Sequence, residues 1–151
     1  MTDPDIELSN VNGNILEFYI SLLHSHNNKF VVGPMLQIDD IPDFYSKKKA
    51  VLRRHTFQFW KKKPITVIWQ NKPYNIQYSG IDTTFQMIHR DHHYHFPRAG
   101  IRCYSPYSAR HLDWYINPQD MTEDQKYYSL HASRIAHWSK NITILNTDIE
   151  I

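Results

Sequence analysis

The sequence predicts one domain of α/β or α+β class. Three observations carry that expectation. Apolar residues recur at helical spacing near the N-terminus. Short β-branched and aromatic runs follow, each bounded by Asn, Pro or Gly. No internal repeat or low-complexity linker divides the chain. Its 151 residues fit a single unit spanning 1–151.

Taken in order, residues 1–10 read as an acidic loop. Over 12–26 the residues Ile15, Leu16, Tyr19, Leu22 and Leu23 mark an amphipathic helix, with Asn10 or Asn12 available as its cap and Asn27-Asn28 as its end. Residues 29–38 read as a strand interrupted at Gly33-Pro34. Asp39-Asp40-Ile41-Pro42 is expected to turn into a helix, since proline and acids suit a first helical turn. That helix is expected over 45–60, with Ala50, Val51, His55 and Phe59 at helical spacing, and Lys61-Lys62-Lys63-Pro64 stops it. Residues 65–69 and 74–78 read as strands joined through Asn71-Lys72-Pro73. Further strands are expected over 83–89 and 100–103. Thr122-Glu123-Asp124-Gln125 is a capping-box pattern opening a helix through His131.

With 41% hydrophobic and 14% aromatic residues the chain can build a core, which argues against disorder. A formal charge of +2 is too balanced to demand a nucleic-acid partner, and none is expected. Cys103 stands alone, so no internal disulfide forms and a reducing compartment is the default. No apolar run approaches the roughly 20 residues of a membrane helix. A cytoplasmic protein, or one peripheral at a membrane, is the expectation.

Five groups of residues are candidates for chemistry. In Asp3-Pro4-Asp5, two carboxylates one residue apart on a turn can face one hard divalent cation such as Mn²⁺ or Mg²⁺. Asp82, in Ser79-Gly80-Ile81-Asp82-Thr83-Thr84-Phe85, sits where a general base on an acceptor hydroxyl would be useful. The alternative there is a turn aspartate bonding its own backbone. In the run from Pro106 to Tyr115, aromatic rings suit the faces of sugars. Arg110 suits a phosphate and His111 suits a metal; the alternative is a buried aromatic cluster. His89-Arg90-Asp91-His92-His93-Tyr94-His95 reads as a solvated loop rather than a zinc centre. A fifth group, Lys47-Lys48-Lys49, Arg53-Arg54 and Lys61-Lys62-Lys63 with Trp60 and Trp69, reads as a solvated helix face. Contact with single-stranded nucleic acid or an anionic membrane is the alternative.

In order along the chain stand Thr2-Asp3-Pro4-Asp5, then Leu36-Gln37-Ile38-Asp39-Asp40-Ile41-Pro42-Asp43-Phe44-Tyr45, then Ile81-Asp82-Thr83-Thr84-Phe85. Tyr107-Ser108-Ala109-Arg110-His111-Leu112-Asp113-Trp114-Tyr115 follows, with Tyr127-Tyr128, His131-Ala132 and Trp138-Ser139 behind it. This series resembles a bacterial group of family 2-like glycosyltransferases over residues 2–139. The sequence departs from that pattern at Leu112-Asp113, where Leu-Pro is expected, and at His55-Thr56-Phe57, where an acidic-aromatic stretch is expected.

The resemblance implies a partial GT-A-like, nucleotide-diphospho-sugar transferase fold of α/β class with a mixed sheet. It implies Asp3 and Asp5 as ligands of Mn²⁺ or Mg²⁺, with His111 completing the metal site. Asp82 would be the catalytic base, and Arg110 the contact to donor phosphate. The implied activity is transfer of a sugar from a nucleotide-sugar donor to a glycan or lipid-linked acceptor. In such a fold a nucleotide-binding region precedes the Asp-x-Asp, whereas here Met1 stands directly before Thr2. The expectation is therefore the metal and acceptor half, with a missing N-terminal half or a second copy as partner. A non-catalytic remnant or glycan-binding module is the main alternative, and a nucleic-acid binder the more distant one.

Overall fold

A computed structural model describes residues 2–81, 85–90 and 100–131. The architecture is mixed α/β. In chain order the elements are β1 (Ile6–Glu7), α1 (Ile15–Ser25), β2 (Val31–Pro34), α2 (Lys48–His55) running on into a π-helical turn (Thr56–Trp60), β3 (Ile65–Trp69), β4 (Lys72–Ser79), β5 (Met87–Ile88), β6 (Gly100–Cys103), β7 (Arg110–His111) running into a 3₁₀ turn (Leu112–Tyr115), and α3 (Glu123–His131). Five strands form one sheet in the order β3-β4-β6-β2-β5, and β1 pairs with β7 in a separate ribbon. The β2–β6 pair is parallel and the other pairs of the large sheet are antiparallel, so the sheet is mixed.

The central strands β2 and β6 are buried along their whole length, as strands covered on both faces must be. Helix α1 lays Ile15, Phe18, Tyr19, Leu22 and Leu23 against Val32, Ile76, Ile101, Cys103 and Tyr107. Phe18 stacks on Tyr107 at 4.5 Å and touches Trp69 and Tyr74 at about 5 Å. Burying each such side chain contributes about 1.5–3 kcal/mol, so this face, rather than helix propensity, holds α1 in place. A second cluster is separate from the first. Leu36, Ile38, Ile41, Tyr45, Val51, Ala109 and Trp114 form it, with Ile6, Leu8 and Trp60 at its margin. The candidate site rests on this second cluster.

Several local expectations are corrected. The residue at the start of α1 is Asn14, whose side chain accepts the Tyr107 hydroxyl at 2.8 Å instead of capping the helix. Gly33 and Pro34 lie inside β2 rather than interrupting it. The ladder continues past the proline through the Met35 amide, which donates to the Cys103 carbonyl. Pro42 and its neighbouring acids form a separate turn, and α2 begins only at Lys48. Lys72 and Pro73 belong to β4. The hairpin turns instead on Gln70 and Asn71, both at positive φ (48° and 60°), as a two-residue turn between right-twisted strands requires. Pro73 is tolerated because β6 pairs only with Ile76 to Ser79, which leaves that end of β4 unpaired on one side. The strand expected over 83–89 is Met87–Ile88, and residues 82–84 lie outside those described. The capping box is present in both directions. The Thr122 amide donates to Gln125 Oε1 at 2.9 Å, and the Gln125 amide donates to Thr122 Oγ1 at 3.3 Å.

Gly33 has a steric reason. A Cβ there would stand 2.7 Å from the Phe85 carbonyl oxygen and 2.9 Å from Ile81 Cδ1. Gly13, by contrast, has nothing within 4 Å. Gly33→Ala is therefore expected to destabilise the fold by about 1–3 kcal/mol. Gly13→Ala should stay within about 0.5 kcal/mol of the parent. Urea unfolding of the two variants checks the contrast, and equal effects would contradict it.

Candidate metal centre and adjoining cleft

The N-terminal acids are brought to the 110–115 segment by a short ribbon. Ile6 pairs with His111 and Glu7 with Arg110, and the Leu112 amide donates to the Asp5 carbonyl at 2.7 Å. Ile6 and Leu8 pack against the second core cluster. Successive residues of a strand face opposite ways, so Glu7 is turned off that core, and Asp5 stands on the turn that leads into β1.

Three side chains then converge. Asp5, His111 and Asp113 each offer one ligand atom, and these atoms lie within 4.8 Å of one another. Asp5 Oδ2 stands 3.3 Å from His111 Nδ1, yet that nitrogen is buried without a hydrogen-bond partner among the described residues. The two atoms thus approach without the alignment of a hydrogen bond, as two ligands aimed at a common point would. The imidazole lies parallel to Trp114, at 5.2 Å and 7° between planes. Trp114 is itself fully buried and meets His55 edge-on at 5.1 Å. Packing therefore fixes the orientation of the histidine ring.

Burial pushes the Asp5 carboxyl above its ordinary value. The His111 imidazole opposes that rise, and the nearby Asp113 and Asp3 carboxyls reinforce it. Two carboxyls and an imidazole held together at a half-buried corner are an unfavourable arrangement for the protein alone and a favourable one around a cation.

Beside this group the guanidinium of Arg110 is held by Asp40, with Glu7 at 3.6 Å and the Tyr115 ring 5.4 Å away. The Tyr115 hydroxyl also donates to Asp40. Burial works against the Asp40 charge, but the bonds from Tyr115 and Arg110 outweigh it and hold this carboxyl below its ordinary value. Arg110 and Asp40 border a cleft of about 530 Å³, with Asp39, Asn75, Trp60 and Tyr104 along its walls. Trp60 meets Tyr104 edge-on at 5.3 Å.

The structure thus joins two of the metal ligands expected from sequence, Asp5 and His111. Asp3 is outside the converging group and acts on it as a neighbouring charge. Arg110, expected to meet phosphate, is engaged by two carboxylates of its own chain. Asp82 lies outside the described residues, as do His92, His93 and His95.

No protein-family model, curated protein or solved structure matches this chain.

The residue that sequence reasoning missed is Asp113. It is the residue at which the chain departs from the Leu-Pro it would otherwise resemble. Its position two residues after His111, at the start of a tight 3₁₀ turn, was the available signal.

The raised Asp5 carboxyl has a consequence for stability. The folded chain binds this proton more tightly than the unfolded chain. Stability is therefore lost as pH rises from the ordinary carboxylate value through the raised one, and the loss is complete above the raised value. In metal-free protein at neutral pH, Asp5→Asn is expected to melt at or above the parent temperature, and the gain should vanish in acid. Thermal melts across pH check this, and a variant less stable than the parent at neutral pH would contradict it.

Proposed function

We propose that this chain carries the cation-binding and acceptor-side portion of a glycosyltransferase of GT-A type, which moves a sugar from a nucleotide-sugar donor to a glycan or lipid-linked acceptor. The observation that supports this most is the convergence of Asp5, from the Asp-x-Asp, with His111 and Asp113 from the far end of the described chain. The donor set suits a divalent cation. Two carboxylates satisfy Mn²⁺ or Mg²⁺, and the imidazole shifts the preference toward Mn²⁺. The Nδ1 of His111, which has no hydrogen-bond partner among the described residues, is the atom such an ion would satisfy. A bound cation would supply neutralisation of charge on a departing diphosphate.

The chain's own residues then divide the remaining work. Trp114 holds the imidazole plane, and Leu112 fixes the Asp5 backbone. Arg110 is neutralised by Asp40 and Glu7, while Asp39 adds a further carboxylate at the cleft. This balance disfavours anions there and favours a neutral, hydroxyl-rich acceptor beside the Trp60 and Tyr104 rings. Asp82 is proposed as the base that takes the acceptor proton.

A glycan-binding module without transfer activity draws on the same cleft and is the second reading. The nucleic-acid alternative loses support, because the two tryptophans it needs are half-buried and pack on different core clusters. Trp69 lies against Phe18 and Tyr74, and Trp60 against Tyr104 and the second core cluster.

Calorimetric titration of the whole chain with Mn²⁺ tests the proposal. One site is expected, weakened at least about ten-fold by Asp113→Asn and abolished by Asp5→Asn or His111→Ala. Uridine or guanosine diphosphate sugars should bind only when Mn²⁺ is present. Mn²⁺ binding that survives all three substitutions would refute the assignment. Glycan binding without Mn²⁺-dependent donor binding would favour the module.

A further inference from the structure

The charge of this protein is distributed very unevenly. The chain has 17 basic and 15 acidic residues. Eight of the basic residues, and none of the acidic ones, fall between positions 47 and 63 (Lys47, Lys48, Lys49, Arg53, Arg54, Lys61, Lys62 and Lys63). That segment is formally +8, and with nine basic and fifteen acidic residues elsewhere the rest of the chain is −6. A near-neutral total therefore conceals one strongly cationic element.

The structure arranges this element as a surface. Val51, His55 and Phe59 face the protein interior at four-residue intervals. On the outside, Lys49, Arg53, Phe57 and Lys61 are all exposed at the same interval. The π-helical turn at Thr56–Trp60, with its wider i→i+5 closure, lets the four-residue stripe run on beyond α2. In the middle of the cations stands Phe57, 76% exposed, and Phe44 is exposed on the preceding turn. Arg53, Phe57 and Lys61 border a shallow groove of about 700 Å³ whose walls are mainly apolar. Asp43, on that turn, binds Lys48, on the inner margin of the stripe.

We propose that the outer face of α2 and its π-helical extension docks on a membrane surface rich in anionic lipid, with Phe57 entering the headgroup–acyl boundary and Arg53, Lys49 and Lys61–Lys63 meeting lipid phosphates. Charge complementarity selects an anionic partner. The exposed phenyl ring at the centre of the cations selects a lipid surface, because such a ring is stabilised by entering the acyl boundary. A nucleic-acid strand would need a row of aromatic faces for successive bases, whereas within residues 47–63 Phe57 stands exposed alone, Phe59 is buried and Trp60 packs edge-on against Tyr104. Among the described residues no helix is long and apolar enough to cross a membrane, so this contact would lie on the surface. The proposal does not depend on the transferase reading.

Co-sedimentation of the whole chain with vesicles tests it. Binding is expected to phosphatidylcholine–phosphatidylglycerol vesicles and not to phosphatidylcholine alone, and added salt should weaken it. Each cation near the surface is worth about five-fold in partition. Arg53→Gln with Lys61→Gln should therefore lower binding about twenty- to thirty-fold and flatten the salt dependence. Phe57→Ser should lower it while leaving the salt dependence unchanged. All three positions are exposed, so thermal melts and Mn²⁺ titration of these variants should match the parent, which separates failure here from failure of the metal centre. Equal binding to both vesicle types, or none to either, would overturn the proposal. So would tighter binding to single-stranded RNA that the same substitutions abolish.

Discussion

The ribbon between residues 5–8 and 110–112 is the constraint on which the candidate site depends. It has only two paired positions on each side, and its isolated stability would be negligible. Ile6 and Leu8 supply what the ladder lacks by packing on the cluster around Trp114 and Leu36. Once they are seated, alternation along β1 turns Glu7 off that cluster, and the turn just before the strand carries Asp5. Asp5 then meets His111, and Glu7 lies across from Arg110. The same apolar contacts that close the fold thus set the carboxylates in register with the imidazole.

The site and the core are coupled through Trp114. Its indole is part of the second cluster and also the surface on which His111 lies flat. Arg110 and His111, consecutive on β7, serve different ends. His111 belongs to the converging acids, and Arg110 belongs to the cleft that Asp39, Asp40 and Trp60 border. One short strand therefore carries a group suited to a cation and a wall suited to an uncharged, hydroxyl-bearing partner.

Much of the architecture was legible in the sequence wherever periodicity and turn chemistry agreed. Helix α1, strands β3 and β6, and the Thr122–Gln125 capping box lie where spacing put them. Errors arose where a long-range contact overrode a local signal. Gly33-Pro34 reads as a break, yet the Ile81 side chain and the Phe85 carbonyl lie so close to β2 that the strand needs the glycine. Asn10 or Asn12 reads as the cap, yet the helix starts at Asn14, and Tyr107, distant in sequence, takes that side chain. In the site, Asp5 and His111 were recognisable by residue type, and their meeting was not. Asp113 was invisible for the opposite reason, since it counted as a departure from a pattern. Asp40 reads as shaping a helix start or the acceptor side, because nothing local announces that Arg110 and Tyr115 would claim it.

The central claim is that one imidazole, fixed by Trp114, shares a cation with Asp5 and Asp113. Pulsed electron paramagnetic resonance of the Mn²⁺-loaded whole chain tests it most directly, because nitrogen bound to the ion modulates the echo. The account predicts modulation from a single imidazole nitrogen, lost on His111→Ala and retained when His92, His93 and His95 are replaced together. Modulation that persists in His111→Ala, or that disappears with the 92–95 histidines, would contradict it.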